Sequence, residues 1–123
     1  MESWFDIPTI SKKAQYVLNN FEHKEKVKRL GIFGSVARGE ADSDSDIDLI
    51  YEYEYDENAQ TDDIITEVRK IMDFEQNLRD TFDPISLSIV DIQALIDQKD
   101  YTFMENIRED VIWLYVPKQI QKA

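Results

Sequence analysis

The chain has 123 residues, a length that predicts one domain spanning residues 1–123. It contains no cysteine, which excludes a disulfide scaffold and a cysteine-based zinc site. Its 26 Asp and Glu against 14 Lys and Arg give a net charge of −12. Because attraction to phosphate backbones needs a basic face, we expect no direct nucleic-acid binding.

The first part of the chain predicts a helix followed by a strand. Asp6 or Thr9 is suited to cap the helix, and apolar residues then recur at helical spacing to about His23. The apolar, β-branched segment Val27–Phe33 predicts a strand that enters a glycine turn. Ser35–Arg38 then predicts a short helix.

A second strand is predicted for Ile47–Tyr53, where apolar and polar residues alternate. Its direction relative to the first strand, parallel or antiparallel, is open at this stage. Tyr51, Tyr53 and Tyr55 share one side of this segment. The alternation favours a half-buried strand face, and a tyrosine-rich partner surface is the alternative.

The second half of the chain predicts further helices and strands around the same sheet. Thr61, followed by two Asp residues, begins a helix that we expect to end near Asp80. Its apolar residues form one stripe that we expect to face the core: Ile64, Ile65, Val68, Ile71, Met72 and Leu78. The later elements are a strand Ile85–Val90, a helix from Asp91 or Ile92 to Gln98, a helix Tyr101–Arg108, and a last strand or apolar tail Val111–Val116. This order predicts an α+β fold, an α/β sandwich in which helices pack on a small mixed β-sheet.

Glycines and acidic residues are unevenly distributed along the chain. All three glycines, Gly31, Gly34 and Gly39, fall within nine residues. Residues 40–67 hold twelve acids and no Lys or Arg, whereas the charges of the remaining chain balance. We expect most of these acids to form a solvated or partner-facing negative surface.

The segment that follows the first strand has the residues of a phosphate site. Gly34 permits a tight turn and a close approach of the backbone to a ligand. The N–H groups at the start of the next helix favour an anion, and Ser35 adds a hydroxyl donor. Arg38 lies one turn further on, where its guanidinium group can contact phosphate oxygens.

Two carboxylates begin the second strand. Period two places Asp46 and Asp48 on the same face, with Ile47 on the other. Two carboxylates so close together repel each other unless a divalent cation lies between them. Because Mg²⁺ prefers one or two carboxylates together with phosphate oxygens, the turn and the carboxylate pair are two halves of a magnesium–nucleotide site.

The run GSVARGEADSDSDIDL, residues 34–49, resembles the signature of the DNA polymerase β-like nucleotidyltransferases in their minimal, MNT-type form. The matching residues are Gly34, Ser35, Arg38, Gly39, Asp46 and Asp48. The resemblance implies the palm-like nucleotidyltransferase fold, with Gly34 and Ser35 holding the triphosphate of an NTP such as ATP. It implies Asp46 and Asp48 as ligands of Mg²⁺, in a one- or two-metal site, and as catalytic residues together with Ser35. The implied reaction transfers a nucleoside monophosphate, with pyrophosphate leaving.

One position departs from the pattern of this family. The family usually carries a third acidic residue on a later strand, and Ser88 falls where that acid is expected. Asp83 and Asp91 lie nearby but have the opposite parity along the strand. A domain that lacks this carboxylate would still bind Mg–nucleotide, with slower chemistry or none.

The resemblance also implies a partner. Minimal members are commonly encoded with a small helical HEPN protein as an antitoxin–toxin pair, in which the nucleotidyltransferase can transfer AMP to that protein. The alternatives are a catalytically impaired antitoxin that only binds nucleotide, and a small-molecule transferase whose acceptor pocket a homo-oligomer would complete. Neither a signal-peptide pattern nor an apolar run of membrane-spanning length is present, so we expect no membrane association and a cytoplasmic location.

Overall fold

A computed structural model describes residues 6–56, 58 and 60–116. The helices are α1 Ile7–Asn19, α2 Gly34–Arg38, α3 Thr61–Phe82, α4 Ile92–Gln98 and α5 Tyr101–Asp110, with a short 3₁₀ turn at Lys24–Lys26. The strands are β1 Val27–Phe33, β2 Ile47–Tyr53, β3 Leu87–Asp91 and β4 Ile112–Tyr115. No helix within these residues combines the length and the apolar character needed to cross a membrane.

The four strands form one mixed sheet in the order β3-β2-β1-β4. β1 pairs antiparallel with both β2 and β4, and β2 pairs parallel with β3. Of the two directions left open for β2, the antiparallel one relative to β1 is correct. The segment near residue 113 is a strand rather than an apolar tail. The predicted α+β fold with a small mixed sheet is confirmed.

Each face of the sheet carries its own helices, because alternate residues of a strand point to opposite faces. Leu49 and Tyr51 of β2 belong to the main core, which α1 and α3 cover. Ile50 points the other way and packs with Leu95 of α4 and Ile107 of α5 in a smaller cluster. Asp48 shares the parity of Ile50, so it lies on the face of the smaller cluster.

The tyrosines of β2 lie in the main core, and their hydroxyl groups donate hydrogen bonds to carboxylates. Tyr51 and Tyr53 are buried, which confirms that the strand has one face in the core. The alternative of a tyrosine-rich partner surface is wrong for these two residues. Tyr53 Oη donates to Glu67 Oε2 of α3 at 2.7 Å, and Tyr51 Oη donates to Glu75 Oε2 at 2.5 Å. Burial raises the pKa of both phenols, and these carboxylates raise it further. The hydrogen bonds tie α3 to the sheet at fixed positions.

The first helix is shorter than the apolar periodicity predicts. Asp6 is its cap, since its carboxylate accepts from the N–H of Thr9 at 3.1 Å. The helix ends at Asn19 rather than near His23. Phe21 continues the apolar pattern beyond the helix because its ring stacks on Phe74 of α3, with 4.6 Å between centroids.

The predicted apolar stripe of α3 is only partly buried, which corrects the expectation that the whole stripe faces the core. Ile71 and Leu78 are buried, and Phe74 and Phe82 join them on the same side of the helix. Four members of the predicted stripe are exposed: Ile64, Ile65, Val68 and Met72. The stripe spans more of the helix circumference than the sheet can cover, so its outer part stays in solvent.

Several element ends also differ from the predictions by one or two residues. α2 begins at Gly34, α3 continues to Phe82, and α5 continues to Asp110. β3 begins at Leu87 and includes Asp91, which also caps α4 by accepting from the N–H of Gln93. Element ends are fixed by caps and strand pairing, which periodicity alone does not report.

Candidate active site

The turn between β1 and α2 requires glycine for two reasons. Gly34 has φ of 76°, in the left-handed region that other residues occupy at a cost. A Cβ atom at Gly34 would also overlap the carboxylate of Asp48. The two halves of the predicted site are therefore in direct contact, the turn on one strand and the carboxylate on the next.

Strand pairing brings the carboxylates to this turn. Asp48 pairs with Phe33, the last residue of β1, across the antiparallel β1–β2 ladder. Asp46 comes two residues earlier, just before β2 begins, and is exposed, whereas Asp48 is half-buried. The structure thus places both predicted metal ligands at the end of β1 where the chain turns into α2.

Burial and neighbouring charges act on Asp48 in opposite directions. Partial burial raises the pKa of the Asp48 carboxyl, and the negative charge of Asp46 raises it further. The positive charge of Arg38 acts in the lowering direction. Three of the predicted site residues are therefore close enough to influence one another electrostatically.

Arg38 is held between two carboxylates. Its Nη1 lies 2.6 Å from Asp110 Oδ2 at the end of α5, and its Nε lies 2.9 Å from Glu40 Oε1. These hydrogen bonds raise the pKa of the guanidinium group, which stays charged. Sequence reasoning missed Asp110, because its separation of 72 positions from Arg38 leaves no local signal.

Ser35 follows Gly34 in the first turn of α2 and is half-buried. Its position places a hydroxyl group and the first N–H groups of the helix at the same end of β1 as the carboxylates. Gly39 ends this helix in the left-handed conformation, with φ of 75°. The short helix is therefore bounded on both sides by glycines at positive φ.

The neighbouring strand presents a hydroxyl group beside Asp48. Ser88 is paired with Asp48 in the parallel β2–β3 ladder and is exposed. The oxygens of Asp91 are used elsewhere, since Oδ2 accepts from Tyr55 Oη and Oδ1 from the N–H of Gln93. Among residues 6–56, 58 and 60–116, no three His, Cys, Asp or Glu side chains gather as a metal site. The described residues therefore supply two carboxylates and no third.

Two carboxylates fit the requirements of Mg²⁺ when phosphate oxygens complete its coordination. Burial and then the charge of Asp46 raise the pKa of Asp48, so its charged form is disfavoured, and a divalent ion beside the pair would favour it. The donor set is all oxygen, as magnesium prefers. The arrangement is suited to holding a magnesium-bound phosphate next to the glycine turn.

Comparisons with known proteins bear on the family and the fold of the chain. The family described as polymerase beta, nucleotidyltransferase matches residues 15–119 of the chain. The fold is similar to a crystal structure described as a toxin–antitoxin with AMP-PNP, with a TM-score of 0.61 and 18% identity, covering 89% of this chain and 75% of that one. It is also similar to a candidate nucleotidyltransferase from Sulfolobus solfataricus, with a TM-score of 0.50 and 15% identity, covering 89% and 82%. No curated protein matches the chain in sequence.

Proposed function

The chain belongs to the polymerase β nucleotidyltransferase family, and we propose that it transfers AMP from ATP, with Mg²⁺, to a partner protein. In this proposal it is the antitoxin of a HEPN/MNT toxin–antitoxin pair, and it acts in the cytoplasm. The observation that carries the proposal is the contact between the turn at Gly34 and the carboxylate of Asp48, with Asp46 two residues away.

Each site residue has a role that follows from its chemistry. Gly34 and Ser35 hold the triphosphate through backbone N–H groups and a hydroxyl group. Arg38, oriented by Asp110, contacts phosphate oxygens. Asp46 and Asp48 hold Mg²⁺, which supplies charge neutralisation at the phosphates when it is bound. In the transfer, an acceptor oxygen forms a bond to the α-phosphorus while the bond to the departing pyrophosphate breaks.

A partner protein is proposed as the acceptor for two reasons. One similar fold occurs in a crystal structure described as a toxin–antitoxin with AMP-PNP. The three longest helices of the described residues, α1, α3 and α5, all contribute to the cores on the sheet. Since these helices are used to build the fold, we propose that a separate helical protein of the HEPN type supplies the acceptor.

A transfer assay with α-labelled ATP tests the proposal. The purified chain should move label to a co-expressed helical partner when Mg²⁺ is present. The Asp46→Asn, Asp48→Asn double variant should lose this activity because it cannot hold the metal. The matched control is Asp73→Asn, Asp97→Asn, which removes two exposed acids elsewhere and should keep it. Equal transfer by both double variants would contradict the assigned metal role.

A second candidate function is favoured by Ser88, which stands beside Asp48 without a carboxylate. In that case the domain binds Mg–ATP and its partner but transfers AMP slowly or not at all. Calorimetry with Mg–ATP, compared with the transfer assay, separates the two: binding without transfer supports the second candidate. The Ser88→Asp variant should then gain transfer. Absence of nucleotide binding, even with Mg²⁺ and partner, would contradict both.

A further inference from the structure

Helix α3 exposes a row of large aliphatic side chains that the fold does not use. Their exposed fractions are 44% for Ile64, 50% for Ile65, 42% for Val68 and 63% for Met72. The spacing of four residues from 64 to 68 to 72 places them along one side of the helix. We call these four residues the α3 stripe.

The stripe is separate from the residues that hold α3 to the sheet. Ile71, Phe74, Leu78 and Phe82 make that contact, and all four are buried. Single exposed apolar residues are ordinary, but a contiguous row on one helix is typical of a surface that another molecule covers. The row has the spacing with which amphipathic helices recognise each other.

Acidic residues lie at the N-terminal end of the α3 stripe. Asp62 and Asp63 lie in the first turn of α3, and Asp56 is exposed in the segment before it. Glu54, also exposed, lies 3.7 Å from Lys28 and is therefore paired. This end of the helix belongs to the stretch of residues 40–67 that holds twelve acids and no base. The negative potential favours a ligand with positive charge beside its apolar row.

Basic residues occur further along the same helix, and two of them are neutralised locally. Lys70 pairs with Glu22 of α1, and Arg79 pairs with Glu75. Arg69 follows Val68 and is exposed. The surroundings of the α3 stripe therefore remain acidic on its N-terminal side.

We propose that the α3 stripe docks a helix of a partner protein, and that this helix presents an apolar row bordered by Lys and Arg. Apolar contact supplies affinity, and the acidic border selects basic partners and speeds their association. This inference rests on the proposed function only in that it takes the partner to be a protein.

Docking at this surface leaves the candidate active site open. Leu49 and Tyr51 point from β2 toward the core that α3 covers, whereas Asp48 lies on the opposite face of the sheet. Partner docking therefore does not need bound nucleotide. Loss of docking and loss of nucleotide binding can be measured independently.

The test uses the whole chain and a synthetic helical peptide with a leucine row bordered by lysines. A scrambled peptide of identical composition is the control for net charge. Methyl NMR should show the patterned peptide shifting the signals of Ile64, Ile65, Val68 and Met72, with affinity falling as salt is added. The scrambled peptide should bind about tenfold more weakly or worse.

Matched variants decide whether the surface itself matters. The double variant Val68→Lys, Met72→Lys should weaken binding of the patterned peptide about tenfold or more. The control Tyr16→Lys, Ile96→Lys adds the same charge at exposed sites elsewhere, and it should change the affinity by less than about twofold. Both pairs should bind Mg–AMP-PNP like the wild type. If no protein binds the nucleotide while the peptide results hold, the proposed function fails and the docking surface stands.

Four outcomes would overturn the inference. The patterned and scrambled peptides could bind equally, or neither could bind. The two variant pairs could weaken binding by the same factor, which would indicate net charge alone. Light scattering could show a wild-type dimer that Val68→Lys, Met72→Lys separates, which would mean that a second copy of this chain covers the α3 stripe.

Discussion

Replacing Gly34 by Ala tests the contact on which the candidate site depends. Gly34 and Gly39 bound the same short helix and have nearly the same φ, 76° and 75°. A Cβ atom at Gly34 would overlap the Asp48 carboxylate, whereas a Cβ atom at Gly39 would meet nothing within 4 Å. Comparing the two alanine variants therefore separates the effect of backbone strain from the effect of the contact with Asp48.

The two substitutions share one contribution to the free energy of unfolding and differ in another. An alanine in the left-handed region costs about 1–2 kcal/mol, and this applies to both glycines. At Gly34 the added methyl group must also displace the Asp48 side chain or its own backbone, which costs about 1–3 kcal/mol more. We therefore expect Gly34→Ala to be the less stable variant by about 1–3 kcal/mol.

Urea denaturation and calorimetry with Mg–AMP-PNP measure the two effects. Because Gly34→Ala moves a proposed metal ligand, nucleotide affinity should fall about tenfold or more, whereas Gly39→Ala should change it little. Calorimetry is done below the unfolding transition, so that lower stability does not appear as weaker binding. If both alanine variants bind nucleotide equally well, the contact between the turn and Asp48 has no functional role.

Two further predictions concern stability. Because burial and the charge of Asp46 raise the pKa of Asp48, the folded state binds this proton more tightly than the unfolded chain, and stability falls as pH rises through the raised pKa. Without Mg²⁺, the melting temperature of Asp48→Asn should therefore be higher than that of the wild type at about pH 7 and equal to it at about pH 3. A difference in melting temperature that stays constant with pH would indicate a packing effect instead. Tyr53→Phe leaves the Glu67 carboxylate one donor short, which should lower the free energy of unfolding in urea by about 1–3 kcal/mol. Tyr16→Phe, at a side chain exposed to 70%, should change it by less than about 0.5 kcal/mol, and equal losses would show that the hydrogen bond contributes nothing.

The core of the candidate site could be predicted because its signals are local. Gly34 and Ser35 are neighbours in sequence, and the period of a strand places Asp46 and Asp48 on one face whatever surrounds them. The roles assigned to these residues stay predictions until the assays are done. Their proximity is what the structure adds, since the antiparallel pairing of β1 with β2 brings Asp48 against the turn.

The errors arose where the outcome depends on distant parts of the chain. Helical periodicity shows that the stripe of α3 is apolar, but how much of it is buried depends on how far the sheet extends beneath the helix. Phe21, which follows the end of α1, is apolar because its ring stacks on Phe74 of α3.

The sequence by itself determined the α+β class, the family signature and the turn with its two carboxylates, because composition, periodicity and short spacings are properties of neighbouring residues. The tertiary structure decided the direction of β2, the pairing of Arg38 with Asp110, and the place of Ser88 beside Asp48. These contacts join residues far apart in the chain, and only packing and strand register determine them. The same packing left the α3 stripe in solvent, so a predicted part of the core became the surface that we propose for a partner.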